Sequence, residues 1–305
     1  MDRNTIIGLT LIFILFFVWQ YFVAPSPEAI EEQRRLQDSV AQAERLADSL
    51  AAAAEAPQPA AETIPVETVF DSTQLARLGG TFGPFAAAAA GREERTKLEN
   101  DLFIVTFSNK GGQIVEVELK NYSKVVENEA REEIKVPLKL LADEKNRFEY
   151  LLPLAALSGG VVRTGDLYFE ATPVENGVVF RAPAGEGRYF EQRYTIEPGT
   201  YDIQYDVTLK GLNSVLTGNA DELELFWEDY LDKIELNTKY ERNYSTVHFK
   251  PLNDDPDYCS WTGDDTETVE ERIKWIAHAN QFFTSALLAD DSFAGAVLVG
   301  CYLVW

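Results

Sequence analysis

Few residues in this 305-residue chain are of a type suited to chemistry, and their spacing is poor for it. Histidine occurs twice, as His248 in an alternating, strand-like pattern and as His278 in an apolar stretch. A histidine-driven hydrolase also needs a nucleophile in a motif such as G-x-S-x-G, and the sequence has none. Cysteine also occurs twice, as Cys259 and Cys301. That is too few for a disulfide framework, and no paired Cys/His spacing marks a zinc site. In an exported body the two could be joined once, but two separate thiols are the simpler expectation. The densest group of oxygen donors is Asp254, Asp255, Asp257, Asp264, Asp265, Glu267, Glu270 and Glu271. A calcium loop needs ligands at alternate positions around a glycine; that pattern is missing, so a solvated acidic loop is expected. Gly185 and Gly187 make a fragment of a phosphate loop with no helix pattern after it, which reads better as a hairpin turn. The sequence therefore offers no catalytic constellation, no metal site and no cofactor site.

Charge narrows the partners. The formal net charge is -23 and the pI about 4.4, so a phosphate backbone is repelled and nucleic acid is excluded as a partner. With 46% hydrophobic residues, the chain can bury the core of one large domain or two small ones.

The elements that must carry any function begin with residues 5–24, TIIGLTLIFILFFVWQYFVA, which contain no charge. At about 1.5 Å per residue such a helix covers a hydrocarbon core of about 30 Å. A cleaved signal would need small residues at its end, where Tyr21, Phe22 and Val23 stand, so an uncleaved transmembrane anchor over residues 1–24 is expected. Trp19 and Tyr21 suit the headgroup layer at its far end. Arg3 on one side and Arg34 and Arg35 on the other leave the orientation open.

Residues 25–93 read as a helical stalk followed by a flexible linker. From 28 to 56, Ile30, Leu36, Val40, Ala43, Leu46 and Leu50 form one weak apolar stripe on a good helix former. From 57 to 91, Pro57, Pro59, Pro65, Gly79, Gly80, Gly83, Pro84 and a run of alanines leave little to bury. Beyond that the hydrophobic period changes to two. Residues 102–107 and 114–119 are strand-like and flank Ser108-Asn109-Lys110-Gly111-Gly112, a turn whose glycines can take positive φ, so a β-hairpin is predicted. Further strands are predicted at 148–152, 161–162, 167–171, 178–181, 189–196, 201–209, 223–227 and 246–249, separated by turns such as Glu197-Pro198-Gly199-Thr200. Many short strands without alternating helices imply an antiparallel sandwich over residues 94–305. Residues 273–289, IKWIAHANQFFTSALLA, fit two conformations. As a helix they place Trp275, Ile276, Ala279, Phe282, Phe283, Ala286 and Leu287 on one face; as a sheet they supply Trp, Ile, Phe and Thr.

Taken together, MDRNTIIG entering a spanning helix, a low-complexity linker, IVTFSNKGGQIVEVELKNY, YTIEPGTYDIQYDV and KWIAHANQFFTSALL resemble the amino-terminal part of the YidC membrane-protein insertases of the Bacteroidetes type. The motif residues are Ser108, Asn109, Lys110, Gly111, Gly112, Trp275, Phe282 and Phe283, in a structural role. The resemblance implies a mainly β protein: an anchor in the bacterial inner membrane, an amino terminus in the cytoplasm, and a periplasmic β super-sandwich similar to sugar-mutarotase domains. It also favours extended structure for 273–289. The implied role is support of membrane-protein insertion, with the inner membrane, the Sec translocon and nascent membrane proteins as partners and no enzymatic activity. The five-helix insertase bundle of the family has no counterpart in this sequence, whose last apolar run, 294–305, is too short to span. Two other functions compete. One is a membrane-tethered carbohydrate-binding or mutarotase-like protein, which would need His248 or His278 paired with a carboxylate. The other is an interaction module oligomerising through Ile30, Leu36, Val40 and Leu50.

Overall fold

A computed structural model of the chain describes residues 72–300, except 129, 158–159, 218–221, 232, 235–240, 242–243 and 260–264. The predicted anchor, stalk and first half of the linker lie outside these residues, as does Cys301. Among the described residues no helix is long and apolar enough to cross a membrane.

Helix α1 (Ser72–Phe82) and a 3-10 turn (Gly83–Phe85) precede β1 (Arg95–Glu99), β2 (Phe103–Ser108), β3 (Gln113–Glu127) and β4 (Glu133–Leu140), which pair in that order as one antiparallel sheet. β7 (Glu170–Val174), β8 (Gly177–Pro183), β9 (Tyr189–Ile196) and β10 (Ile203–Lys210) form a second meander. β5 (Arg147–Pro153) is flanked by β6 (Val161–Arg163) and β11 (Glu224–Glu228) in a third sheet. The alternation on β9 shows why these layers stack. Phe190, Gln192, Tyr194 and Ile196 all point inward and are buried. Phe107 of β2 meets Phe180 of β8 at 5.7 Å and Tyr194 at 4.9 Å, while Tyr150 of β5 meets Phe190 at 5.4 Å. The second meander is thus covered by the first sheet and by the β5 sheet. Gln113 Oε1 accepts the Phe148 amide at 3.0 Å, tying β3 to β5.

The remaining strands build a second, smaller cluster. β12 (Thr246–Pro251), β13 (Asp257–Tyr258), β15 (Ile273–Ala279) and β16 (Thr284–Phe293) pair in the order 13, 12, 15, 16, and β14 (Asp265–Val269) pairs with β17 (Ala296–Gly300). Their core consists of Phe249, Cys259, Val269, Ile273 and Leu298.

The antiparallel, mainly β class read from the sequence is observed, two local readings are corrected and one unpredicted strand is found. Residues 72–90 are no featureless linker: α1 occupies part of them, Phe85 and Ala88 are buried in the main core, and Tyr168 N donates to Ala88 O at 2.6 Å. The alanine run concealed this, because one phenylalanine suffices to dock a segment whose small residues permit close approach. The strand expected at 167–171 starts at Glu170, since Leu167 and Tyr168 spend their backbone groups on other segments. Strand β4, interrupted in sequence by Pro137 and lysines, gave no clear alternating signal, yet it pairs along β3 from Val117 to Glu127.

Residues 273–289 are extended, not helical. The deciding residue is Asn280. Its Oδ1 accepts the amides of Phe282 at 3.0 Å and Phe283 at 2.8 Å, folding the segment into a turn between β15 and β16. The helical face that grouped Phe282 with Phe283 is therefore split: Phe282 is 52% exposed, and Phe283 packs onto the main core.

Candidate functional site

The tip of the β2–β3 hairpin is anchored by the side chains of Ser108 and Asn109 and by its backbone groups. Ser108 and Asn109 are buried, which is unusual for a turn. Ser108 Oγ donates to Glu93 at 2.8 Å, and Asn109 Oδ1 accepts the Glu94 amide at 2.7 Å while its Nδ2 donates to Arg92 O at 3.1 Å. Lys110 bridges to Tyr168, and Gly111 N donates to Leu167 O at 2.8 Å. On the core side, Gln192 Nε2 donates to Gly111 O at 2.8 Å and Tyr194 Oη donates to Gly112 O at 2.9 Å. Tyr205 Oη in turn donates to Gln192 Oε1 at 2.7 Å and lies 3.3 Å from Tyr150 Oη. Burial raises the Tyr150, Tyr194 and Tyr205 hydroxyls above the usual tyrosine range, so all three stay protonated donors. Gly112, at φ 61°, is required for space as well as backbone: a Cβ there would lie 2.7 Å from Gln192 Nε2 and 3.0 Å from Phe180 Cβ.

The other motif residues do not join this tip. Trp275 is a half-buried member of β15, in register with Lys250 on one side and Leu288 on the other. Phe283 meets Tyr122 of β3 edge-on at 5.3 Å. The hairpin and the Phe283 turn are thus two separate fastenings of the fold, and neither presents a reactive group to a ligand.

No partner for His278 is legible in the sequence, but the structure places two side chains beside it. Trp227 of β11 stacks on the imidazole with ring centroids 4.0 Å apart and planes 14° from parallel. Asp229, with its side chain 2% exposed, places Oδ2 3.7 Å from His278 Nδ1, beyond hydrogen-bond reach, and that oxygen has no hydrogen-bond partner among the described residues. Beside the pair lies a cavity of about 10 Å³, lined by Leu140, Leu141, Tyr230, Asn280, Phe283 and Ser285 among others. That is about the space of one water. A histidine and a carboxylate therefore converge, as a sugar acid–base site would need, but in a space that admits no sugar ring. The pair was hidden in the sequence because its members stand far apart along the chain, Asp229 just past the end of β11 and His278 on β15 of a different sheet. His248 lies elsewhere, on β12 opposite Tyr258, with ring centroids 5.7 Å apart.

The acidic stretch is partly strand: Asp257 and Tyr258 form β13, and Asp265 opens β14. Among the described residues no three His, Cys, Asp or Glu side chains gather as a metal cage. Cys259 is buried, and burial, aided by Asp265, Glu267 and Asp257, pushes its thiol up to about 11.

Comparison with known proteins adds to this geometry. The family model of the YidC periplasmic domain matches residues 95–298, from the first residue of β1 into β17. The membrane protein insertase YidC of Parabacteroides distasonis is 35% identical over 302 residues, covering 98% of this chain and 46% of that protein. Its namesakes in Bacteroides fragilis and Porphyromonas gingivalis are each 32% identical, covering 96% of this chain and 44% of their own length. The chain spans about half the length of these curated relatives.

Proposed function

This chain belongs to the YidC periplasmic-domain family, and from that premise we propose that it is the periplasmic portion of a membrane-protein insertase, tethered to the inner membrane by residues 1–24. The observation that carries the reading is the extent of the match: every strand from β1 to β16 and most of β17 falls within the family's periplasmic domain. In this reading the amino terminus is cytoplasmic, residues 25–93 link anchor to body, and residues 94–305 form a periplasmic super-sandwich of the mutarotase type. The stacked antiparallel meanders and the uncharged 5–24 run support that arrangement. The body assists insertion and folding of inner-membrane proteins alongside the Sec translocon, holding partners at the membrane surface rather than conducting segments into lipid.

The test is a chimera in which residues 1–305 replace the corresponding part of the Bacteroides fragilis insertase, expressed while the host's own insertase is depleted. The expected result is restored growth, correct insertion of a client, and co-isolation of translocon components from the membrane. A chimera that accumulates folded in the membrane yet restores neither growth nor insertion overturns the proposal. Protease added to intact spheroplasts should degrade the body, and protection contradicts the periplasmic placement. A carbohydrate-active reading gains nothing from the Asp229–His278 pair, because the space beside it is too small for a sugar.

A further inference from the structure

We infer that the cavity beside Asp229 and His278 is a receptor for one primary ammonium group, presented by a lysine side chain of a partner polypeptide. Four observations lead there. First, Asp229 Oδ2 is buried without a hydrogen-bond partner among the described residues, a costly state for a carboxylate unless a donor reaches it. Second, the 3.7 Å gap to His278 Nδ1 is too long for a bond between the two, and it places a carboxylate oxygen and an imidazole nitrogen beside one cavity. Third, the opening has the volume of a water molecule, and an ammonium head is of the same size. Fourth, its surroundings suit a cation: Trp227 stacks on His278, Phe283 and Tyr230 line the cavity, and Lys145 Nζ already lies 4.8 Å from the centroid of the Tyr230 ring. Leu141, which lines the cavity, holds φ at 57°, a conformation a bulky residue adopts only when its surroundings impose it.

The chemistry excludes other guests. An anion would meet the buried carboxylate, and a metal ion would find a carboxylate and an imidazole without a third His, Cys, Asp or Glu ligand among the described residues. A quaternary ammonium has no hydrogen to give. The net charge of -23 draws cationic segments toward the chain, which favours a lysine of a polypeptide as the source.

The experiment uses the full chain in detergent micelles with 15N-labelled histidine, since only His248 and His278 contribute signals. Methylammonium is the first probe, and a short lysine peptide and its acetyl-lysine counterpart are the second pair. Methylammonium and the lysine peptide should shift the His278 signals saturably and leave His248 unmoved. Half-saturation for methylammonium is expected at about millimolar concentration or above, the ceiling for a guest of two heavy atoms. Tetramethylammonium and the acetyl-lysine peptide should do nothing. Asp229→Asn should weaken binding at least about tenfold, as loss of a charge-assisted bond does. Ser285→Leu, which fills the cavity while leaving the carboxylate in place, should abolish binding; this second variant decides the matter if Asp229→Asn does not fold. Equal shifts with tetramethylammonium, binding retained in both variants, or no shift up to about 100 mM, more than tenfold above the affinity ceiling, would each overturn the proposal and leave a water-filled gap. Saturation by methylammonium with none by the lysine peptide would overturn the polypeptide source.

Discussion

Strands β1 to β11 share one core around Phe85, Phe103, Phe107, Phe180 and Phe190, whereas β12 to β17 are held by Phe249, Cys259, Val269, Ile273 and Leu298. The first region interleaves facing sheets, so Phe107 meets Phe180 and Tyr194, and Tyr150 meets Phe190, across the layers. The second leaves Leu288, Val297 and Val299 more than half exposed, and among the described residues β14 and β17 pair only with each other. A lone two-stranded ribbon contributes little stability by itself. What differs is how many sides of each strand are covered, since both regions are antiparallel and alternate side chains in the same way. Stability in such a chain is thus expected to be uneven, high in the aromatic body and low at the β14–β17 ribbon.

The largest test of that contrast is Phe107→Ala. It should cost about 3–5 kcal/mol in urea unfolding, as deletion of a buried ring does, and lower the midpoint of the whole body. A loss below about 1 kcal/mol would show that the facing sheets are not coupled through this ring. Gly112→Ala comes next, at about 2–4 kcal/mol, because the new methyl meets Gln192 and Phe180 and the φ of 61° is left-handed. Its selective signature is loss of the Tyr194 and Tyr205 hydrogen bonds, seen as ionisation of those phenols at lower pH in the ultraviolet. Asn109→Ala removes the side-chain bonds to Arg92 and Glu94 and should cost about 1–3 kcal/mol, with faster amide exchange in β1.

The smallest effect belongs to the second region and is a pH dependence. The Cys259 thiol is raised from 9.0 to about 11 in the folded protein. Between those values the unfolded chain releases a proton that the folded one keeps, so the contribution of this thiol to stability is intact below pH 9 and falls as pH rises to about 11. Replacing Cys259 with Ala should flatten that window by about 1 kcal/mol. An unchanged slope would mean that solvent already reaches the thiol. Amide exchange read across both regions completes the comparison: β17 should exchange faster than β9, and the reverse order would remove the idea of a weak ribbon.

Much of the body was legible because its strands are half-buried and their turns are marked. β9 follows its sequence pattern from Tyr189 to Ile196 without a shift, and the glycines of the β2–β3 turn sit at positive φ as their type requires. Legibility failed where a residue's environment comes from distant chain. Phe85 looked isolated among alanines, and only the sheets that close over it make it core. Residues 273–289 satisfied a helical period, yet β12 offers a partner edge and Asn280 a turn, and cross-strand pairing outweighed local preference.

The sequence by itself determined the antiparallel class, the hairpin at Ser108 to Gly112 and the membership of its family, because alternation, glycine geometry and contiguous motifs are local properties of a chain. Only the tertiary structure decided that this hairpin tip is buried against Gln192 and Tyr194, that Phe282 and Phe283 part company, and that Asp229 and His278 line one small cavity. Those facts depend on which strands become neighbours, and that is settled by the packing of whole layers rather than by the residues on either side.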